Sequence, residues 1–179
     1  MRRAPVDRRA EPRRRAVPRR ARGPRRRRAR GRDSGRSDLS VFVDTNVILY
    51  AAIPDSPPAP ACARILEAVL DGQVEGAIST SVLEEVLHVE LRTTTLDLRG
   101  VAGLAYGMFT PLLPVTDEVM KLALGLGELA LGSNDRVHVA TCRLNEIDVI
   151  VSADRGFDSV SGLRRVDPLD ADAVAALVG

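Results

Sequence analysis

The chain has 179 residues and a mass of 19.3 kDa, enough for one domain of ordinary size. Hydrophobic residues make up 45% and charged residues 28%, as in globular proteins, and no apolar run is long enough to span a membrane. Two cysteines, Cys62 and Cys142, are too few for a disulfide framework and fit a reducing cytoplasm. Both lie on apolar helical stripes, so we expect them in the core.

The net charge of +2 combines two segments of opposite charge. Residues 1–36 contain 17 arginines and three acidic residues, a net charge of +14, whereas residues 37–179 contain nine basic and 21 acidic residues, a net charge of −12. Because the first segment has few large apolar side chains, it cannot bury enough surface to offset its ordering entropy, so residues 1–38 are expected to be disordered.

Two interpretations of this basic segment stay open. It is either an arm that binds nucleic-acid phosphate or the product of translation from a start codon upstream of the true one. The second is favoured, because runs of Arg, Pro, Ala and Gly are what GC-rich DNA encodes when it is read as protein.

Short apolar strands alternate with amphipathic helices along residues 39–179. This pattern indicates a parallel sheet with helices on both faces. The strands are predicted at 41–43, 76–78, 112–115, 148–151 and 163–166. Five helices are predicted at about 47–52, 62–70, 82–91, 96–108 and 133–145. Two more are predicted to begin at residue 117, after the N-cap Thr116, and at residue 170.

Two acidic residues, Asp44 and Asp154, directly follow apolar strands. In an open α/β sheet the carboxyl ends of the strands line the ligand crevice, so both side chains are expected there. Each could instead be an ordinary strand-end residue that caps the next helix. For Asp44 a functional role is favoured, because Thr45 and Asn46 follow it and supply oriented polar side chains.

Two further acids, Glu85 and Asp135, lie near the starts of predicted helices. Asp135 shares a helical stripe with apolar residues, and an acid on a buried stripe is rarely left unpaired. Its alternative role is to favour the helix N-terminus electrostatically. Residues 81–84 match a capping box, which assigns Glu84 a structural role and leaves Glu85 as the candidate metal ligand.

Four carboxylates in one crevice repel each other, since a pair about 4 Å apart costs on the order of 4 kcal/mol at an effective dielectric constant of about 20. A hard divalent cation, Mg²⁺ or Mn²⁺, offsets this repulsion. Such a cation lowers the pKa of a bound water and stabilises charge on a phosphoryl oxygen, the chemistry of phosphodiester hydrolysis. We therefore predict a catalytic metal site at Asp44, Glu85, Asp135 and Asp154.

Four stretches around these acids resemble the motifs of PIN-domain ribonucleases, and more narrowly of VapC-type toxins from bacterial toxin–antitoxin pairs. Any one of them is a weak signal, but four in family order, each ending a strand or opening a helix, are a strong one. They are residues 41–50 (VFVDTNVILY), 78–86 (ISTSVLEEV), 134–141 (NDRVHVAT) and 149–158 (VIVSADRGFD). The resemblance covers residues 41 to about 168, and the family has no Arg-rich leader like residues 1–36.

The resemblance implies a three-layer α/β/α fold with a parallel five-stranded sheet. It also implies Mg²⁺-dependent cleavage of RNA by the four acids named above, a homodimer, and inhibition by a small antitoxin whose tail enters the acidic crevice. Thr45, Asn46 and Ser152 are expected to orient the acids or the metal-bound waters. His88 and His138 are interpreted as packing or surface residues.

The charge of −12 on residues 37–179 makes this part a poor partner for RNA, so bound metals must offset the acids locally. An acidic toxin also suits an antitoxin with a basic segment. The candidate phosphate contacts, each also interpretable as a solvated surface residue, are Arg92, Arg99, Arg136, Arg143, Arg155, Arg164 and Arg165.

Two other functions are weighed against this one. A phosphatase of the haloacid-dehalogenase type also places an acid after its first strand, but it needs an aspartate at position 46 and a nearby lysine. Here position 46 is Asn46, and Lys121 is the only lysine. A catalytically silent PIN-like module that binds RNA or protein is disfavoured because all four acids are present.

Overall fold

The structure, a computed structural model, describes residues 40–127 and 131–179. The expected disorder of residues 1–38, and the choice between a phosphate-binding arm and an upstream start codon, lie outside the described residues. Among the helices of the described part, none has the length and apolarity that crossing a lipid bilayer requires.

Helices and strands alternate along the described residues. In chain order they are β1 (Ser40–Val43), α1 (Thr45–Ala51), α2 (Ala59–Leu70), β2 (Glu75–Ala77), α3 (Thr80–Arg92), α4 (Val101–Phe109), α5 (Asp117–Gly125), α6 (Ser133–Leu144), β3 (Val149–Val151), a 3₁₀ helix (Arg155–Ser159), β4 (Arg164–Val166) and α7 (Ala171–Val178). The 3₁₀ helix has no counterpart among the predicted elements.

The strands form one parallel sheet in the order β2-β1-β3-β4. Val41 of β1 lies opposite Val149 of β3, and Val149 lies opposite Arg164 of β4. Consecutive side chains of a strand point to opposite faces of the sheet, and Val41, Phe42 and Val43 are all fully buried. Helices therefore cover both faces, which confirms the predicted three-layer arrangement around a parallel sheet.

The predicted strand at 112–115 is wrong. Among the described residues this segment forms only an isolated bridge between Leu113 and Ser79, just beyond β2, with two backbone hydrogen bonds of 2.9 Å. Pro111 and Pro114 lack the N–H group that a ladder of hydrogen bonds needs, so the pairing stops after one residue. The sheet of the described residues therefore has four strands rather than the five that the resemblance implies.

Helix α3 starts differently from the prediction. Its N-cap is Ser79, whose Oγ accepts a hydrogen bond from the N–H of Val82 at 3.2 Å. The capping box predicted at 81–84 is therefore wrong, and the exposed Glu84 has no capping role. The helix still presents Glu85 in its second turn, on the side that meets α1 and α6.

Helix α4 begins later than predicted, at Val101 instead of about residue 96. Gly100 has a φ of 85°, a left-handed conformation that does not continue into a right-handed helix. The carboxylate of Glu90 on α3 accepts hydrogen bonds from the N–H groups of Gly100 at 2.9 Å and Ala102 at 2.8 Å. A side chain from another helix thus supplies the cap that the local sequence lacks.

Both cysteines are buried in the core, as predicted. Burial raises the pKa of Cys62 to about 11 and that of Cys142 to about 12, with the charges of Asp167 and Asp44 adding to the effect. A thiol with such a pKa stays protonated at neutral pH, a state that disfavours nucleophilic attack.

Candidate active site

Asp44 stands at the carboxyl end of β1 and is only 4% exposed. Its N–H donates to the carbonyl of Val151 at 3.1 Å, which fixes it beside the end of β3. Its Oδ1 accepts a hydrogen bond from the N–H of Thr45 at 2.7 Å and caps α1. Asp44 therefore caps a helix, as its structural interpretation requires, and it lies at the carboxyl end of the strand, where its functional interpretation places it.

Two polar side chains fix the orientation of the Asp44 carboxylate. Its Oδ2 accepts hydrogen bonds from Asn46 Nδ2 and from Ser152 Oγ, each at 2.5 Å. Asn46 is itself held, because its Nδ2 donates to Ser152 Oγ at 3.1 Å and its Oδ1 accepts from the N–H of Ala153. Asn46 and Ser152 thus have the orienting role that the resemblance implies.

Ser152 also connects Asp44 to Asp154, because its Oγ accepts a hydrogen bond from the N–H of Asp154 at 3.0 Å. The Oδ1 of Asp154 accepts from the N–H of Gly156 at 2.7 Å and caps the 3₁₀ helix. Asp154 is exposed to solvent. One carboxylate oxygen of Asp154 is therefore engaged structurally, and the side chain stays accessible to a ligand.

Glu85 of α3 reaches the same region from the other side. Its Oε2 accepts a hydrogen bond from Thr45 Oγ1 at 3.0 Å, whereas its Oε1 is buried and accepts no hydrogen bond from the described residues. Burial alone would raise the pKa of Glu85, but contacts with His138, Thr45 and Asn134 outweigh it and hold the pKa below its ordinary value. The carboxyl group of Glu85 is therefore ionised at neutral pH.

His138 contacts two of the acids, and this contact was not predicted from the sequence. It is 1% exposed and packs against Phe42, with ring centroids 5.4 Å apart, so its interpretation as a packing residue is incomplete. Its Nε2 lies 3.3 Å from Glu85 Oε1 and 3.7 Å from Asp44 Oδ1. The spacing of three residues from Asp135 on one helix face could have indicated this position.

Asp135 lies in the first turn of α6 and is half-buried. Its Oδ2 accepts a hydrogen bond from the N–H of Gly132 at 3.1 Å, so it caps its own helix, as its alternative role requires. Burial is the largest cause that raises its pKa, and the charges of Asp154 and Glu85 raise it further. The charge of Asp135 in turn raises the pKa of Asp44, so each of the four acids interacts electrostatically with another.

Arg165 is not a phosphate contact, which corrects its candidate role, because its side chain is 9% exposed and already paired. Its Nε and Nη2 lie 2.7 and 3.2 Å from the two carboxylate oxygens of Asp158, and its Nη1 lies 3.0 Å from Asp167 Oδ2. Nη1 also donates to the carbonyl of Ser152 at 2.9 Å. Of the other candidates, three exposed arginines form no hydrogen bond or ion pair within the described residues, namely Arg92, Arg155 and Arg164.

The sequence between residues 41 and 163 matches the PIN domain family. The chain belongs to the PIN domain family. This PIN domain is similar to VapC ribonuclease Mb1869c from Mycobacterium bovis and to ribonuclease VapC13 from Mycobacterium tuberculosis. Each is 28% identical to it over 135 residues, which make up 70% of this chain and 98% of the relative.

Solved structures share the PIN fold. VapBC2 from Rickettsia felis, bound to a DNA fragment from its promoter, has a TM-score of 0.56 at 16% identity. The match covers 72% of this chain and 98% of the VapBC2 chain. DNA-bound VapBC from Salmonella typhimurium has a TM-score of 0.55 at 16% identity, and the match covers 73% of this chain and 98% of the VapBC chain. A toxin–antitoxin complex from Klebsiella pneumoniae has a TM-score of 0.52 at 19% identity, with 72% and 97% covered. At these identities the likeness concerns the fold alone.

The acids of this PIN domain have the donor chemistry that a hard cation needs. Within residues 40–127 and 131–179, no three His, Cys, Asp or Glu side chains lie close enough together to hold an ion directly. Mg²⁺, however, usually binds proteins through one or two carboxylates and keeps several waters. Glu85 Oε1 is a buried acceptor that receives no hydrogen bond from the described residues, with His138 Nε2 3.3 Å away, and a set of four carboxylates suits a hard dication. The side chains therefore fit Mg²⁺ or Mn²⁺.

The metal-free PIN domain should become less stable relative to an Asp44→Asn variant as the pH rises. Burial raises the pKa of Asp44 above its ordinary value, and hydrogen bonds and His138 do not cancel this. The folded state thus binds this proton more tightly than the unfolded chain, so the stabilising contribution is complete below the ordinary Asp pKa and is lost as the pH passes the raised pKa. Denaturant unfolding in EDTA from about pH 4 to 7 should show the free energy of unfolding of Asp44→Asn rising relative to that of the wild type. A difference between the two proteins that stays constant with pH would contradict the raised pKa.

Proposed function

We propose that this chain is a divalent-metal-dependent endoribonuclease that hydrolyses RNA phosphodiester bonds, with Asp44, Glu85, Asp135 and Asp154 as its catalytic and metal-holding residues. The observation that carries the proposal is the buried carboxylate of Asp44 at the end of β1, which Asn46 and Ser152 orient by hydrogen bonds and which interacts electrostatically with Asp135. The names of the two VapC relatives support the ribonuclease activity.

The chain's own residues prepare the site for a cation. Asn46 and Ser152 keep the Asp44 carboxylate in one orientation, so it does not reorganise during the reaction. His138 Nε2 lies 3.3 Å from Glu85 Oε1 and 3.7 Å from Asp44 Oδ1, where an N–H on that nitrogen would lower the repulsion between the two carboxylates. When bound, Mg²⁺ or Mn²⁺ makes a coordinated water more acidic and offsets charge on a phosphoryl oxygen.

We further propose that the protein is the toxin of a type II toxin–antitoxin pair and acts as a homodimer in the cytoplasm. The solved structures that share its fold include toxin–antitoxin complexes, which supports an antitoxin as the partner. The charge of −12 on residues 37–179 favours an antitoxin with a basic segment, because complementary charges speed association. The buried free thiols of Cys62 and Cys142 suit a reducing compartment.

Removal of divalent metal should abolish RNA cleavage by the purified protein. Without a cation the four carboxylates repel both one another and the RNA phosphate, so cleavage in EDTA should fall to the background of a protein-free reaction. Gel analysis of a 5′-labelled single-stranded RNA should show cleavage that returns when Mg²⁺ or Mn²⁺ is added in excess. Cleavage that continues at the same rate in EDTA would contradict the metal requirement.

A further inference from the structure

A cavity of about 400 Å³ lies beside the acids, between α3 and the first residues of α1 and α6. Its volume falls within the range of roughly 300–1,000 Å³ that is typical of ligand pockets. The lining residues are Thr45, Glu84, Glu85, His88, Val89 and Asn134. Because Glu85 belongs both to this cavity and to the acid site, an occupant of the cavity would lie next to the proposed cleavage centre.

Two of the lining side chains, Glu84 and His88, make no polar contact within the described part of the chain. Both are exposed. They are four residues apart on α3, so their side chains lie on the same face of the helix. Since Ser79 caps α3, the fold gives no reason for a carboxylate at position 84.

The charge of the cavity wall selects against phosphate. Glu84 and Glu85 contribute two carboxyl groups, and among the described residues no Lys or Arg lines the cavity. Carboxylates repel a phosphate group and accept hydrogen bonds from N–H donors. Val89 and the flat ring of His88 add apolar surface, so the wall suits a planar group with N–H donors at its edge.

We propose that this cavity recognises the guanine base of a single-stranded RNA next to the cleaved phosphodiester, an inference that rests on the proposed ribonuclease function. Guanine is the RNA base whose Watson–Crick edge carries two adjacent donors, the N1–H and the N2 amino group. The two oxygens of the Glu84 carboxylate match this pair, and single-stranded RNA exposes that edge to proteins. The ring of His88 packs against the face of the base.

The proposal is tested by RNA oligonucleotides of uridine that carry one guanosine, inosine or adenosine. The wild-type protein should cleave beside guanosine with a kcat/KM about tenfold higher than beside inosine, which lacks the N2 amino group. Glu84→Gln should remove this difference between guanosine and inosine, because an amide offers only one acceptor to the two donors. The matched control is Glu67→Gln, an exposed acid on α2 outside the cavity, which should keep the wild-type preference.

Nucleoside binding separates failure of this proposal from failure of the ribonuclease function. In EDTA, guanosine should shift the amide NMR signals of Thr45 and Val89 in the wild-type protein but not in Glu84→Gln, and adenosine should shift them in neither. An unchanged ratio of guanosine to inosine cleavage in Glu84→Gln would overturn the proposal while the nuclease stands. If no RNA is cleaved, equal binding of guanosine and adenosine would overturn the proposal. It would also be overturned if the cavity bound neither nucleoside but bound argininamide, a probe for an arginine side chain of a protein partner.

Discussion

Asp44→Asn should lower the rate of RNA cleavage by about a thousandfold, because the proposed metal site loses its most buried carboxylate and several kcal/mol of transition-state stabilisation. Asn still offers an oxygen to the N–H of Thr45, so the cap of α1 is retained and the variant should fold. Single-turnover cleavage in excess Mg²⁺ measures the rate, and circular dichroism checks the fold.

A matched control separates catalysis from a general loss of charge. Asp148→Asn changes an exposed acid at the opposite end of β3 and should cleave RNA at the wild-type rate. Induction in a bacterial host should arrest growth with the wild type and with Asp148→Asn but not with Asp44→Asn, and co-expression of the antitoxin should relieve the arrest. Undiminished cleavage by Asp44→Asn would reject the assigned site.

Arg165→Met should slow cleavage by about a hundredfold and lower the free energy of unfolding by about 2 kcal/mol. Arg165 binds the carbonyl of Ser152 on one side of Asp154 and the carboxylate of Asp158 on the other, so the segment that carries Asp154 is held at both ends. Loss of the guanidinium leaves Asp167 and Asp158 without their cation and frees this segment to move. Calorimetric titration with Mn²⁺ should show weaker metal binding by the folded variant.

Arg164→Met provides the control for this prediction. Arg164 is the neighbouring residue of β4 and is exposed, and it has no side-chain partner among the described residues, so its replacement should change stability by no more than about 0.5 kcal/mol. Because both variants lose one positive charge, any shared effect on RNA binding is electrostatic. Equal metal affinities in Arg165→Met and the wild type would show that Arg165 contributes to stability only.

The sequence was sufficient to predict where the strand-end acids lie, since a short apolar strand followed by a polar residue specifies both the sheet and its carboxyl edge. Asp44 and Asp154 are such cases. The contacts of His138 and Arg165 were not predictable, because each depends on how separate elements pack. His138 meets Glu85 only once α6 lies against α3, and Arg165 meets Asp158 across the turn before β4.

Element boundaries were harder to predict where neighbouring residues compete for one role. Ser79, Thr80 and Ser81 are all suitable N-caps, and only the pairing of the preceding residues with the rest of the fold selects Ser79. The apolar run at 112–115 has the composition of a strand, yet its flanking prolines limit it to a single bridge.

The cap that Asp44 provides for α1, beside its proposed catalytic role, affects how sequences of this type should be interpreted for loss of activity. A lineage that abandoned RNA cleavage would still need an oxygen-bearing side chain at position 44 to begin α1, so an acid or amide retained there is poor proof of an active enzyme. Glu85 caps no helix in the described part of the chain. When selection is relaxed, the glutamate at position 85 should therefore be replaced before the aspartate at position 44. The residue at position 85 is then the better marker for distinguishing inactive relatives from active nucleases.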